Sequence, residues 1–423
     1  MVGLFNAKLA AASAWLFVGG MLGGLLGYVF QVLMGRMLSP QEFSLFTAAM
    51  AIFTVSSAPQ GALIMIISRR VSEYKFYNDS ENISHFYWWI WTRVVVFGLA
   101  IGFITISIGP RVKSFLNAPT IDIVYLLGSL VFLASFSSIN SAFFMGLQRF
   151  SWMSFNSTLG ALLKILFSVM LVWLGYGVVG ALTGTILAVI VVGLCGYLPL
   201  RRYLVNNRTK SFKSDHLSIR PAVPVLIANI AFAAMTQLDI VVVNFYFSAH
   251  EAGIYAAASI LGKAVLYISG GVSLSLFPMA VESHVSGQKN WQLLTQSVIM
   301  TSILSGLGAL FYFFFGENIV VLFFSSNYRE SGEILKLYGF AIFPMSIAMV
   351  AEHFLIAQGR VLFAYLFLIV APLQLIAFGF NHDNIHSILY IMGAGGSTLA
   401  LLGSGLLWRE YRKDTNVVCE SIS

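Results

Sequence analysis

Ser39-Pro40-Gln41-Glu42-Phe43-Ser44-Leu45-Phe46-Thr47-Ala48-Ala49 recurs, in degenerate form, 209 residues later as Ser248-Ala249-His250-Glu251-Ala252-Gly253-Ile254-Tyr255-Ala256-Ala257-Ala258. Ser39, Glu42, Ala48 and Ala49 return as Ser248, Glu251, Ala257 and Ala258, and Phe46 faces Tyr255. The same offset lays Gly61 on Gly270 and Gly184 on Gly393. It is about half of the 423 residues, so the chain reads as two related halves.

Around this repeat the composition leaves one class of protein. Apolar residues make up 58% of the chain and charged residues only 10%, against roughly 25% charged in soluble domains. A water-soluble fold has no interior large enough to hide that surface, whereas membrane helices tolerate the many Gly and Phe residues. A bilayer crossing needs about 20 mainly apolar residues. Such windows fall at 11–34, 43–67, 85–108, 122–146, 155–175, 177–199, 221–246, 252–278, 292–315, 332–357, 362–380 and 385–407. The fifth and sixth are separated only by a tight Gly175-Tyr176-Gly177 turn. The first follows Lys8 in the manner of a signal peptide, but it is long and other spans follow, so it reads as an uncleaved helix. The expected fold is all-α and polytopic: a six-helix bundle over 1–200, a basic linker over 201–220, a second bundle over 221–408 and a tail over 409–423. Two halves with an even number of spans insert in the same sense, so their pseudo-twofold axis runs along the membrane normal, with a substrate site expected between them.

Positive charge resists translocation and sets orientation. With a cytoplasmic N-terminus, Lys8, Arg69, Arg70, Lys75, Arg149, the six basic residues of the linker, Lys289, Arg360, Arg409, Arg412 and Lys413 all fall on the cytoplasmic side. Only Arg36, Arg111, Lys113 and Arg329 fall opposite. The net charge of +7 is therefore a topological signal, and no nucleic-acid partner is needed to explain it.

The chemistry is sparse. Two cysteines, Cys195 and Cys419, are too few for a disulfide framework or a metal site, and no cofactor motif is present. The nearest approach to a P-loop, Gly262-Lys263-Ala264, lies inside an apolar helix, so ATP hydrolysis by that route is excluded. A membrane transferase needs acids or histidines gathered at a loop, and the longest outer loop, about 316–331, holds just Glu317 and Glu330. An enzyme is not expected.

What remains is charge within the spans, where each ionisable group costs about 3 kcal/mol on insertion scales unless it meets a cavity or partner. Lys263 is near the middle of its span, and Tyr255, Ser259, Lys263 and Tyr267 share one helical face at four-residue steps. Asp239 lies in the preceding span with Gln237 beside it. These residues, with Lys164 in the fifth span and Arg93 in the third, are candidates for a substrate cavity. A structural Asp239–Lys263 pair, interfacial packing of Lys164 and snorkelling of Arg93 beside Trp88, Trp89 and Trp91 are the alternatives. Glu352 and His353 form a candidate proton relay. Gly19, Gly23 and Gly27, with Gly180 and Gly184, make small-residue faces suited to close helix approach.

Gly35-Arg36-Met37-Leu38-Ser39-Pro40-Gln41-Glu42-Phe43, followed by Leu45-Phe46, resembles the R-x-L-x-P-x-E-[YF]-G-x-[FY] opening of bacterial O-antigen-type polysaccharide flippases. These belong to the multidrug/oligosaccharidyl-lipid/polysaccharide exporter superfamily. Glu251 to Ala258 is similar to the E-x-G-x-Y-x-x-A element of that family, with Asp239 where it often has an acid. Gly146-Leu147-Gln148-Arg149-Phe150 and Gly175-Tyr176-Gly177-Val178-Val179-Gly180-Ala181 look like its G-x-Q-R-F and G-x-G-V-x-G-A turns, and Ser44 departs from the pattern, which prefers Gly.

The resemblance implies two bundles around a cavity opening alternately to each side of a bacterial inner membrane. It also implies transfer of an undecaprenyl-diphosphate-linked oligosaccharide to the periplasmic leaflet for O-antigen, lipopolysaccharide or exopolysaccharide assembly. A polysaccharide polymerase and glycosyltransferases are implied partners besides membrane lipids, with H⁺ or Na⁺ as coupling ion. Lys263, Lys164 and Arg93 would then meet phosphate, and Tyr255 and Tyr267 would stack on sugars. A multidrug cation antiporter of the same superfamily, a flippase for the peptidoglycan precursor, and a polytopic enzyme or scaffold of a synthase complex are the rivals. More basic than acidic residues within the spans favour an anionic substrate. In a background lacking Cys195 and Cys419, cysteines placed at Arg36 and Arg149 should label with impermeant maleimide from opposite faces, and labelling from one face would refute the topology.

Overall fold

The two copies of the repeat make the same local structure. Ser39 (φ −64°, ψ 158°) and Ser248 (φ −61°, ψ 151°) are helix N-caps with almost identical backbones. The Glu42 and Glu251 backbone N–H groups each donate to the capping serine Oγ at 3.3 Å, and each glutamate Oε2 accepts the serine backbone N–H at 3.1 Å. Orphan donors at both helix starts are thereby satisfied reciprocally.

The structure is a computed structural model describing residues 2–204, 223–268, 270–272, 291–357 and 362–422. Its helices are α1 (Val2–Met37), α2 (Pro40–Phe76), α3 (Ser80–Phe115), α4 (Asp122–Gly146), α5 (Phe150–Leu171), α6 (Gly177–Leu200), α7 (Val223–Tyr246), α8 (Ala249–Gly262), α9 (Trp291–Phe323), α10 (Ser331–Ala357), α11 (Leu362–Phe380) and α12 (Ile385–Ile422). Helical structure resumes after α8 at 264, past a turn at Lys263. Eleven stretches among the described residues are long and apolar enough to cross a membrane, and the chain is a multi-pass membrane protein. One of them, Phe150–Tyr203, is 54 residues long. At 1.5 Å per residue a straight helix of that length would run about 80 Å, far beyond a core of about 30 Å. It is instead a hairpin. The five-residue π-turn Val172–Tyr176 and the positive φ of Gly175 (91°) and Gly177 (51°) reverse the chain, a conformation glycine adopts without a Cβ penalty. Ser168 Oγ then donates to the Ala181 carbonyl at 2.9 Å across the pair.

The helices extend beyond the expected windows because polar flanks stay helical. α2 runs on to Phe76, and α9 runs to Phe323, which shortens the outer loop expected at 316–331. Most of the expected linker, residues 205–220, lies outside the described residues, as do 269 and 273–278 of the eighth window.

The chain divides into two compact units, Met1–Leu226 and Ile227–Ser423. In the first, α1 packs on α5, and α4 packs on α2, α3 and α6. In the second, α10 packs on α8, α9 and α12, and α11 packs on α12. Lipid is as apolar as these interfaces, so packing and hydrogen bonds must hold them. Tyr87 donates to Asn140 Oδ1 at 3.1 Å, and Asn140 Nδ2 donates to the Gly193 carbonyl at 2.9 Å, tying α3 to α4 and α4 to α6. The turn after α4 is held in the same way. Lys75 Nζ donates to the Leu147 carbonyl and to Gln148 Oε1, each at 2.9 Å, and Gln148 takes a left-handed φ of 57°.

Gly184 faces the Ser168 backbone so closely that a Cβ would overlap it, whereas a Cβ on Gly27 would meet nothing within 4 Å. Gly184→Leu should therefore abolish accumulation of folded protein while Gly27→Leu leaves it unchanged, measured by monodisperse yield in detergent; equal yields would refute this account of the α5–α6 contact.

Candidate functional site

The second unit contains a charged pair that is shut away from solvent and lipid. Asp239 on α7 is 0% exposed and Lys263, at the end of α8, is 4% exposed. Their Nζ–Oδ1 distance is 3.1 Å. Two buried ions each lose several kcal/mol of hydration, which is recovered only if the remaining polar groups are also satisfied. Here they are. Asp239 Oδ2 accepts from the hydroxyls of Tyr338 at 2.8 Å, Tyr255 at 3.0 Å and Ser259 at 3.1 Å. Lys263 Nζ donates a second bond to Gln237 Oε1 at 3.2 Å, and Gln237 Nε2 donates to the Tyr267 hydroxyl at 3.4 Å.

Helical spacing explains the convergence. Tyr255, Ser259 and Lys263 stack one turn apart on α8, directly facing Asp239 across the α7–α8 hairpin. Ser259 Oγ also lies 2.9 Å from the Tyr338 hydroxyl; having a single proton, it donates either to that oxygen or to the carboxylate. A Cβ on Gly262 would collide with the Tyr338 ring, so the glycine before Lys263 makes room for the tyrosine that completes the shell.

Of the residues singled out from the sequence, Asp239, Tyr255, Ser259 and Lys263 form one cluster, and Tyr267 joins through Gln237. Tyr255 is 0% exposed, so its ring has no free face for a sugar, while Tyr267 is 60% exposed. Lys164 and Arg93 belong to the first unit and take no part. Lys164 Nζ lies 4.3 Å from the centre of the Phe30 ring, and the Arg93 guanidinium lies 4.4 Å from that of Trp89, both cation–π contacts. Glu352 is buried on α10, and neighbouring His353 contacts the Met349 carbonyl through Nδ1 at 2.8 Å; the two do not reach the Asp239 cluster. Tyr338 was not legible as a site residue. Its only sequence signal is a hydroxyl-bearing ring in an otherwise apolar span. Among the described residues no group of three or more His, Cys, Asp or Glu side chains is placed to hold a metal.

The fold is shared with transporters of the multidrug/oligosaccharidyl-lipid/polysaccharide superfamily. An inward-facing multidrug resistance MATE family transporter superposes with a TM-score of 0.73 at 14% identity, covering 96% of this chain and 98% of that one. The lipid II flippase MurJ in an inward closed conformation gives 0.71 at 14% identity, over 93% and 87%. A superfamily transporter from Pyrococcus furiosus, described as having a binding pocket of reverse polarity, gives 0.65 at 17% identity over 95% of each chain. At these identities the likeness is one of fold. The sequence itself belongs to the polysaccharide biosynthesis protein family, which it matches over residues 9–284. An uncharacterized membrane protein of Methanocaldococcus jannaschii is 22% identical over 353 residues, covering 80% of this chain and 82% of that protein.

Removing one partner of a buried ion pair leaves an unpaired charge, at a cost of about 3–5 kcal/mol. Asp239→Asn should thus lower the melting temperature more than the double variant Asp239→Asn/Lys263→Met, read on purified protein; a double variant melting below the single one would show that the two groups do not stabilise as a pair.

Proposed function

We propose that the protein flips an undecaprenyl-diphosphate-linked oligosaccharide from the cytoplasmic to the periplasmic leaflet by alternating access between its two units, supplying surface polysaccharide assembly. The observation that carries this reading is membership of a polysaccharide biosynthesis family by a chain built of membrane-crossing helices. Such a chain acts within the bilayer, and the part of the pathway that lives there is the lipid-held intermediate. The fold is compatible with multidrug export as well, and it is the family match that supports the lipid-linked oligosaccharide over a drug.

In this reading transport, not catalysis, is the activity, both termini are cytoplasmic, and glycosyltransferases and a polymerase work on either side of the step. Lys263 is the point of contact with the diphosphate, as a compact cation suited to phosphate. In the structure that cation is committed to Asp239. Neutralising the carboxylate, by a proton or by Na⁺, would release the ammonium to the substrate, which gives a physical form to ion coupling. Tyr267 is the ring positioned to stack on sugar. Lys164 and Arg93 supply positive charge from the first unit, and Glu352 with His353 offers a second route for protons.

Deletion of the gene should cause lipid-linked repeat units to accumulate on the cytoplasmic face, detected by their inaccessibility to periplasmic enzymes in intact spheroplasts. Complementation with Lys263→Ala should leave membrane insertion intact and surface polysaccharide absent. Normal polysaccharide with that variant would remove Lys263 from the mechanism, and unchanged leaflet distribution on deletion would remove the flippase reading itself.

A further inference from the structure

The first unit has a groove of about 640 Å³ between α2, α3 and α4. On α3 its wall is one helical face, with Trp89, Arg93, Phe97, Ile101 and Thr105 a turn apart and Val112 at the far end. At 1.5 Å per residue this wall extends about 35 Å. On α2 the lining runs from Ile52 to Ile67, and on α4 from Val124 to Ile139, each about 22 Å by the same rise. One leaflet of hydrocarbon is about 15 Å deep, half of a core of about 30 Å. The groove is therefore longer than the acyl chain of any single-leaflet lipid and passes the bilayer midplane.

The wall makes few polar demands along its length. Gln60 Nε2 donates to Ser135 Oγ at 3.3 Å and Ser138 Oγ donates to Gln60 Oε1 at 2.6 Å, so these mid-groove groups satisfy one another. Pro59, inside α2, lines the groove beside them. The exception is Arg93, the one charged residue among the described residues of the lining. Its guanidinium lies against the Trp89 ring at 4.4 Å, which occupies a face and leaves its N–H edges directed in plane. Among the described residues no carboxylate lines the groove. Arg93 is exposed one turn in from the Trp89 end of the groove, where its guanidinium is open to an anion, and phosphate is the anion that its planar fork matches.

We infer that this groove holds the polyprenyl chain of a lipid-linked phosphate, with Arg93 gripping the phosphate at one end. The inference rests on the flippase reading for the lipid's role, and it adds where the chain is carried: in a groove lined by residues of the first unit. A chain seated along a wall that crosses the midplane stays bound while its head group changes leaflet.

The test is lipid binding by the full-length protein in phosphatidylcholine nanodiscs, read by native mass spectrometry with undecaprenyl monophosphate, undecaprenol, farnesyl monophosphate and dioleoyl phosphatidate as probes. Undecaprenyl monophosphate should bind about tenfold tighter than farnesyl monophosphate or phosphatidate, since all three offer Arg93 a phosphate and only the long chain fills the groove. Arg93→Gln should weaken undecaprenyl monophosphate about tenfold and leave undecaprenol unaffected. Val131→Trp or Ile101→Trp, which fill the groove, should weaken both long-chain probes, while Leu99→Trp, on a residue 69% exposed and outside the lining, should weaken neither; an unchanged melting temperature qualifies each variant. Equal binding of phosphatidate and undecaprenyl monophosphate would overturn the long-chain assignment, and an unaffected Arg93→Gln would overturn the phosphate clamp. Binding is measured without transport, so these outcomes are independent of the leaflet distribution that tests the flippase reading.

Discussion

Hydrocarbon cannot hydrogen-bond, and every polar group placed in it must find its partner inside the protein. That constraint shapes this molecule at each level. It has its mildest form at the reciprocal caps of Ser39 and Ser248, where the first N–H groups of two spans find side-chain partners at exposed helix starts. It accounts for Asn140, which joins three helices by accepting from Tyr87 and donating to Gly193. It reaches its extreme at Asp239, whose two oxygens take four partners from α8 and α10.

The same solvent removes the usual driving force for association. Leucine gains nothing by leaving lipid for another helix, so contacts depend on how closely backbones approach. Gly184 lies against the Ser168 backbone and Gly146 would place a Cβ 2.6 Å from the Ser68 carbonyl oxygen. Large apolar side chains such as Phe97, Leu99 and Phe103 on α3 remain exposed; in a bilayer this surface is solvated by acyl chains.

The fold was largely legible because its signals are one-dimensional. Apolar length marks a span regardless of what it packs against, and the window 122–146 coincides with α4. The helix ends were less legible, because polar flanks such as Ser68 to Lys75 continue a helix that a hydropathy window abandons. The site was half legible. Asp239 and Lys263 stand out as charges in apolar runs, and four-residue spacing places Tyr255 and Ser259 with them. Tyr338 lies 99 residues from Asp239 in the chain, and no local pattern announces a contact made between distant helices. Arg93 and Lys164 looked equivalent to Lys263 as intramembrane cations; which groups they meet depends on packing, and both turned out to lie against aromatic rings.

The two halves have also drifted apart in how they hold a cation. Shifted by 209 residues, Asp239 and Tyr255 correspond to Phe30 and Phe46, which in the first unit meet edge to face at 5.8 Å. Phe30 in turn carries the ammonium of Lys164 on its face. The two lysines themselves do not correspond under that shift, Lys263 falling on Thr54 and Lys164 on Leu373, so each half holds a cation of its own, one against a ring and the other against a carboxylate. The repeat has therefore kept its caps while the polar cluster around Asp239 was built in the second half alone, where the first half carries a pair of phenylalanine rings.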